Sequence, residues 1–103
     1  MSDARALFTP FSLGGLTLPN RIVMAPMTRN FSPGGIPTEE VAAYYARRAE
    51  HGVGCIVTEG VAIAHPTAHG YRDVPVLDPK VPLDGWKRVV DAVHAHGAKI
   101  LPQ

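Results

Sequence analysis

Residues 21–30 read RIVMAPMTRN, an apolar run cut by Pro26 and followed at once by Thr28 and Arg29. Arg21 to Ala25 is apolar after its first residue, the pattern of a short strand buried on both faces of a parallel sheet. Sheets of that kind hold ligands at the carboxyl ends of their strands, so an end made of hydroxyl and guanidinium groups suggests a site.

Upstream lies FSLGGLTLPN (11–20), where Phe11, Leu13 and Leu16, Leu18 alternate on either side of Gly14-Gly15. Two glycines between alternating segments predict a hairpin, and Pro19-Asn20 separates it from the next strand. Downstream, the loop NFSPGGIP leads to Pro37-Thr38-Glu39-Glu40. That sequence predicts a helix start capped by Thr38, with two carboxylates complementing the positive helix end. The helix runs to about Glu50 on a stripe of Val41, Tyr44, Tyr45 and Ala49, with Arg47 and Arg48 near its end and Gly52 as its stop.

GCIVTEG (54–60) is a second short buried strand, and it too ends in polar residues, Thr58 and Glu59. Residues 61 to 81 read as one long connection, a length often associated with function. Trp86, Val89, Val90 and Val93 then share one helical face, with Gly97 as the stop. AKILPQ (98–103) begins a third strand and closes on Gln103. Within it Pro102 removes an amide donor, which leaves the extent of that strand open.

The order is hairpin, then strand, helix, strand, helix, strand, which implies a parallel sheet with right-handed crossovers. A doubly wound sheet or a (β/α)8 barrel satisfies it. Residues 25 to 38 contain only Gly34-Gly35 and no G-x-G-x-x-G, which weakens the dinucleotide fold. A complete barrel takes roughly 250 residues, so 103 residues would make only its first portion. Three barrel strands cannot close, and the open edges imply a fragment or one piece of a longer or two-chain assembly.

The bulk properties fit one core: 46% of residues are hydrophobic, 18% are charged, and the formal net charge is +1 with the charges scattered. Nothing in that balance points to nucleic acid or acidic lipid. No apolar run approaches the roughly 18 residues needed to cross a bilayer. A single cysteine, Cys55, and the lack of a secretion-type opening favour a reducing, cytoplasmic setting.

The stretches LFTPFSLGGLTLPNRIVMAPMTR, PTEEVAAYYARRA, IVTEG, HGYRDVPV and the final Gln103 together resemble the old yellow enzyme family, the FMN-dependent ene-reductases. The resemblance covers essentially the whole chain. It implies the N-terminal part of a (β/α)8 barrel, with the hairpin closing the bottom and FMN lying across the top. It further implies that Ala25, Pro26, Met27 and Thr28 line the flavin, with the Thr28 hydroxyl donating to the carbonyl next to the redox-active nitrogen. Gly60 would leave room for the flavin, and the Gln103 amide would both donate to and accept from the pyrimidine edge.

The family's reaction takes hydride from NAD(P)H into FMN and passes it to the β-carbon of an activated alkene, while a proton reaches the α-carbon. The family's His-Asn or His-His substrate pair, its proton-donating tyrosine and its phosphate-binding arginines lie beyond residue 103, so no catalytic residue is assigned in this segment. Threonine at position 28 resembles the branch of the yeast and enterobacterial reductases, which handle enones, maleimides and nitro compounds. Two other readings stand beside this one: the barrel of a larger flavoenzyme such as 2,4-dienoyl-CoA reductase, and a non-catalytic piece that pairs with a complementary chain. A homo-oligomer is left open.

The remaining landmarks have plainer readings. Tyr44 and Tyr45 are packing residues. His65 and His69 lack a third metal ligand, and His94 and His96 point in different directions on the second helix. Cys55 is a small buried hydrophobe. Tyr71 reads equally as a substrate-side contact or as loop packing. Arg21 and Arg29 read as structural ion-pair donors.

Overall fold

The computed structural model describes residues 3–103. Its strands are β1 (Phe11–Leu13), β2 (Leu16–Leu18), β3 (Val23–Met24), β4 (Cys55–Val57), β5 (Ala62–Ile63), β6 (Val76–Leu77) and β7 (Lys99–Leu101). Two helices, α1 (Glu39–Glu50) and α2 (Asp84–His94), lie between them, so His96 falls beyond the end of α2. β1 and β2 form the expected antiparallel hairpin, with Phe11 opposite Leu18 and Leu13 opposite Leu16. Gly14 takes a φ of 56°, the left-handed conformation such a turn demands.

β3, β4 and β7 form one parallel sheet in that order. Successive neighbours joined by right-handed crossovers put both helices on the same face. The packing agrees: Val41, Tyr45 and Ala49 of α1 meet Trp86, Val89 and Val93 of α2 over Ile56, with Met24 and Ile100 against the same cluster. Each fully buried aliphatic side chain there is worth about 1.5–3 kcal/mol.

The helices start differently. Thr38 Oγ1 accepts the Val41 N–H at 3.3 Å, closing the first turn of α1. α2 has no side-chain cap and is tied instead by Trp86, whose Nε1–H donates to the Val76 carbonyl at 3.0 Å. Gly85 lets the two helix starts approach, because a Cβ there would run into the Pro37 carbonyl oxygen.

Three expectations need correction. The first strand pairs only over Val23–Met24, not Arg21 to Ala25, and Val23 is 53% exposed rather than buried. The Asn20 side chain accepts the Ile22 N–H at 3.0 Å before the ladder begins, Pro26 has no N–H with which to continue it, and β3 has one strand neighbour among the described residues. Likewise, β4 spans less than residues 54 to 60. The connection 61 to 81 is not one irregular loop: β5 and β6 pair in parallel, Ala62 opposite Val76 and Ile63 opposite Leu77. Pro102 creates no defect, since β7 ends at Leu101, whose carbonyl accepts the Thr58 N–H at 2.8 Å.

Candidate flavin site

The ends of β3, β4 and β7 converge on a cavity of about 390 Å³. Thr28 comes from beyond β3, Gly60 from beyond β4 and Gln103 from beyond β7, while Tyr71 reaches it from the segment between β5 and β6. Ala25, Pro26 and Met27 do not line it. They lead toward Thr28 along the outer strand, where Ala25 and Met27 are exposed and Pro26 is half-buried. The walls sequence reasoning did not single out are Val61, Ala62, Thr67, Ala68, Gly70 and Val74. They come from the segment read as one long connection, and its β5–β6 pairing brings them to the cavity.

Thr58 organises the carboxyl ends. It is 1% exposed, and its hydroxyl donates to the Glu59 carbonyl at 2.8 Å and accepts the Gln103 N–H at 3.3 Å. The Val61 N–H then donates to the Gln103 carbonyl at 3.1 Å. Both backbone groups of Gln103 are thereby held, while its amide side chain remains exposed at the cavity. A Cβ on Gly60 would stand 3.5 Å from Gln103 Oε1, so a larger side chain would project against that amide. The polar end of the IVTEG stretch was the sequence signal for Thr58, although its bonds are to the backbone.

Behind the wall stands an unusual charge. Glu59 is 2% exposed, neither carboxylate oxygen has a hydrogen-bond partner among the described residues, and burial pushes its carboxyl upward while Arg29 pulls it down. The Glu59 N–H donates to Tyr45 Oη at 2.9 Å, and burial also raises the Tyr45 phenol.

Arg29 and Arg21 do not act as ion-pair donors. The Arg29 guanidinium lies 3.4 Å from the centre of the Tyr44 ring and 5.0 Å from that of Phe31. Arg21 sits 5.3 Å from the centre of Phe11 and donates to Thr9 Oγ1 at 3.1 Å. Aromatic faces, with no carboxylate within 4.0 Å among the described residues, take up these cations. Tyr45 packs as expected, whereas half-buried Tyr44 lies between two guanidinium groups, with Arg48 at 3.6 Å.

His65 accepts the Thr67 N–H through Nδ1 at 3.2 Å, and no group of three metal-ligating side chains occurs among the described residues. Cys55 is buried, which raises its thiol pKa. No described helix is long and apolar enough to cross a membrane.

A parallel α/β sheet with successive neighbours, both helices on one face, and amide and hydroxyl groups gathered at its carboxyl ends belongs to the class of cofactor-binding α/β proteins. Residues 6–103 match the model of the NADH:flavin oxidoreductase / NADH oxidase family, and the chain belongs to that family. Among curated relatives it is 43% identical to putative 12-oxophytodienoate reductase 2 of Oryza sativa subsp. japonica, an alignment covering 93% of this chain and 25% of that protein. It is 40% identical to 12-oxophytodienoate reductase 2 of Arabidopsis thaliana, covering 88% of this chain and 24% of that one.

A solved structure of morphinone reductase in complex with tetrahydroNAD superposes with a TM-score of 0.84 at 44% identity, covering 95% of this chain and 26% of that one. Old Yellow Enzyme from Pichia sp. AKU4542 gives 0.84 at 31% identity, covering 95% and 25%. The chain thus spans about a quarter of the length of the relatives it matches.

Proposed function

We propose that this segment supplies one wall of an FMN site in an oxidoreductase that takes hydride from NAD(P)H and reduces activated C=C bonds of enone-like substrates. The observation that carries the reading is the convergence of Thr28, Gly60 and Gln103 on one cavity at the ends of three parallel strands. These residues fit a flavin in kind. An amide offers a donor and an acceptor together, a hydroxyl can donate to a ring carbonyl, and a glycine keeps the wall flat.

FMN, when bound, supplies the hydride chemistry. Thr28 would donate to the carbonyl beside the redox-active nitrogen and so favour the anionic reduced ring. Gln103, its backbone fixed by Thr58 and Val61, would hold the pyrimidine edge, and Gly60 would leave that edge room. Ala25, Pro26 and Met27 would form the ring-facing wall once neighbouring strands are in place. Tyr71, 68% exposed at the cavity, would contact substrate.

The outer strands β3 and β7 each pair on one side only among the described residues. Completion of a (β/α)8 barrel, by further length of the same chain or by a complementary polypeptide, would supply the groups that hold phosphate, anchor substrate and deliver the proton. The hairpin would close the barrel bottom. A buried, unpaired Cys55 suits a reducing compartment, and we place the protein in the cytoplasm.

The test is to purify the complete barrel carrying this segment. It should be yellow with bound FMN, NADPH or NADH should bleach it, and an enone should restore the colour while its alkene is reduced. A colourless protein that ignores added FMN would overturn the reading.

A further inference from the structure

Two charged residues, Glu59 buried and Arg29 half-buried with its Nη1 atom out of solvent, stand one position behind the cavity wall and take no part in lining it: Arg29 follows Thr28, and Glu59 precedes Gly60. We propose that Arg29 and Glu59 are positioning residues, a couple of opposite charge that fixes the chain beyond β3 against the chain beyond β4 and so sets where Thr28 and Gly60 stand. This rests on the flavin reading of the cavity.

The Glu59 carboxylate and Arg29 Nη1 are both buried without a hydrogen-bond partner among the described residues. The Glu59 carboxylate alone would be costly, because a buried charge is tolerated only where an opposite charge compensates it. A contiguous set of contacts joins the two. The Arg29 guanidinium covers the Tyr44 ring, Tyr44 meets Tyr45 edge to face with centres 5.3 Å apart, and Tyr45 Oη accepts the Glu59 N–H.

The ring stack fixes the direction of the guanidinium, and the phenol fixes the Glu59 backbone. Around this pair the charged and titratable groups are Tyr44, Tyr45 and Arg48 of α1, with Arg48 turned onto the far side of the Tyr44 stack, and Glu40 and Asp73, which line a cavity with Arg29 and make no ion pair with it within 4.0 Å. Arg29 is thus the cation whose field reaches Glu59. Removing it leaves an anion in the interior beside Gly60.

The experiment uses the FMN-loaded complete barrel and the variants Arg29→Met, Glu59→Gln, their combination, and Arg29→Lys. Arg29→Met should weaken FMN binding about tenfold, equivalent to about 1.4 kcal/mol. It should also lower Tm more at about pH 8 than at about pH 5.5. Burial already raises the Glu59 carboxyl, and loss of Arg29 raises it further. Stability is then complete below the ordinary carboxyl range and is lost as pH rises through the folded-state value.

Adding Glu59→Gln should remove that pH dependence and recover most of the FMN affinity. Arg29→Lys, which keeps the charge but not the planar stack on Tyr44, should keep the parent's pH response while losing part of the FMN affinity. Equal Tm losses at the two pH values, unrelieved by Glu59→Gln, would overturn the couple and reduce Arg29 to a packing residue. If Arg29→Met gives no folded protein, the double variant decides. Recovery of folding by Glu59→Gln supports the couple, and failure of the double variant as well overturns it. A parent protein that binds no FMN would instead defeat the flavin reading and leave the melting comparison to judge the couple.

Discussion

Met24, Ile56 and Ile100 stand side by side across β3, β4 and β7 and pack into the α1–α2 core, whereas Val23 and Leu101, one residue away on the outer strands, are 53% and 47% exposed. Both sets are apolar, so side-chain type alone does not separate them. Elements inside the segment cover one face, while the other is left open among the described residues. The helix-covered face therefore holds the segment together, and under the proposed reading the strand ends and open face are completed by the rest of a barrel.

The largest effect that would sharpen this contrast is a paired truncation in the complete barrel. Ile56→Ala should cost about 2–5 kcal/mol by denaturant unfolding, because Ile56 is wholly buried. Leu101→Ala should cost a comparable amount if its face becomes the barrel interior. A cost below about 1 kcal/mol for Leu101→Ala would break the comparison and argue against closure.

Next in size is Gly85→Ala, which places a methyl against the Pro37 carbonyl and should destabilise by about 1–3 kcal/mol, measured the same way. Thr38→Ala, which removes the α1 cap, should cost about 1 kcal/mol and leave FMN binding unchanged.

Much of the helix-covered face was legible in the sequence because its signals are local and redundant. Thr38 with Glu39 and Glu40 marks the start of α1, the Trp86–Val93 spacing marks α2, and Gly14-Gly15 sets the hairpin register. Strand lengths were harder: Pro26 marks where β3 stops, but its start is delayed by a hydrogen bond from Ile22 to the Asn20 side chain and it has one strand neighbour among the described residues, neither visible in hydropathy. The β5–β6 pair is two residues per strand, too short for any alternation to register.

At the cavity, Thr28, Gly60, Tyr71 and Gln103 could be named from their motifs. Val61, Ala62 and Val74 could not, because small apolar residues in a proline-interrupted segment carry no signature until pairing brings them together. Arg29 was read as an ion-pair donor because sequence shows its charge and not the Tyr44 face it covers.

The central claim, that the carboxyl ends of these strands form a flavin wall, is tested most directly by the FMN-induced rise in Tm of the complete barrel against its Gly60→Val variant. At an FMN concentration 100 times the parent Kd, binding should add about 2.7 kcal/mol of stability to the parent. Gly60→Val, whose new side chain projects against the Gln103 amide, should melt like the parent without FMN and gain little or nothing with it. An equal FMN-induced rise in both proteins would contradict the account.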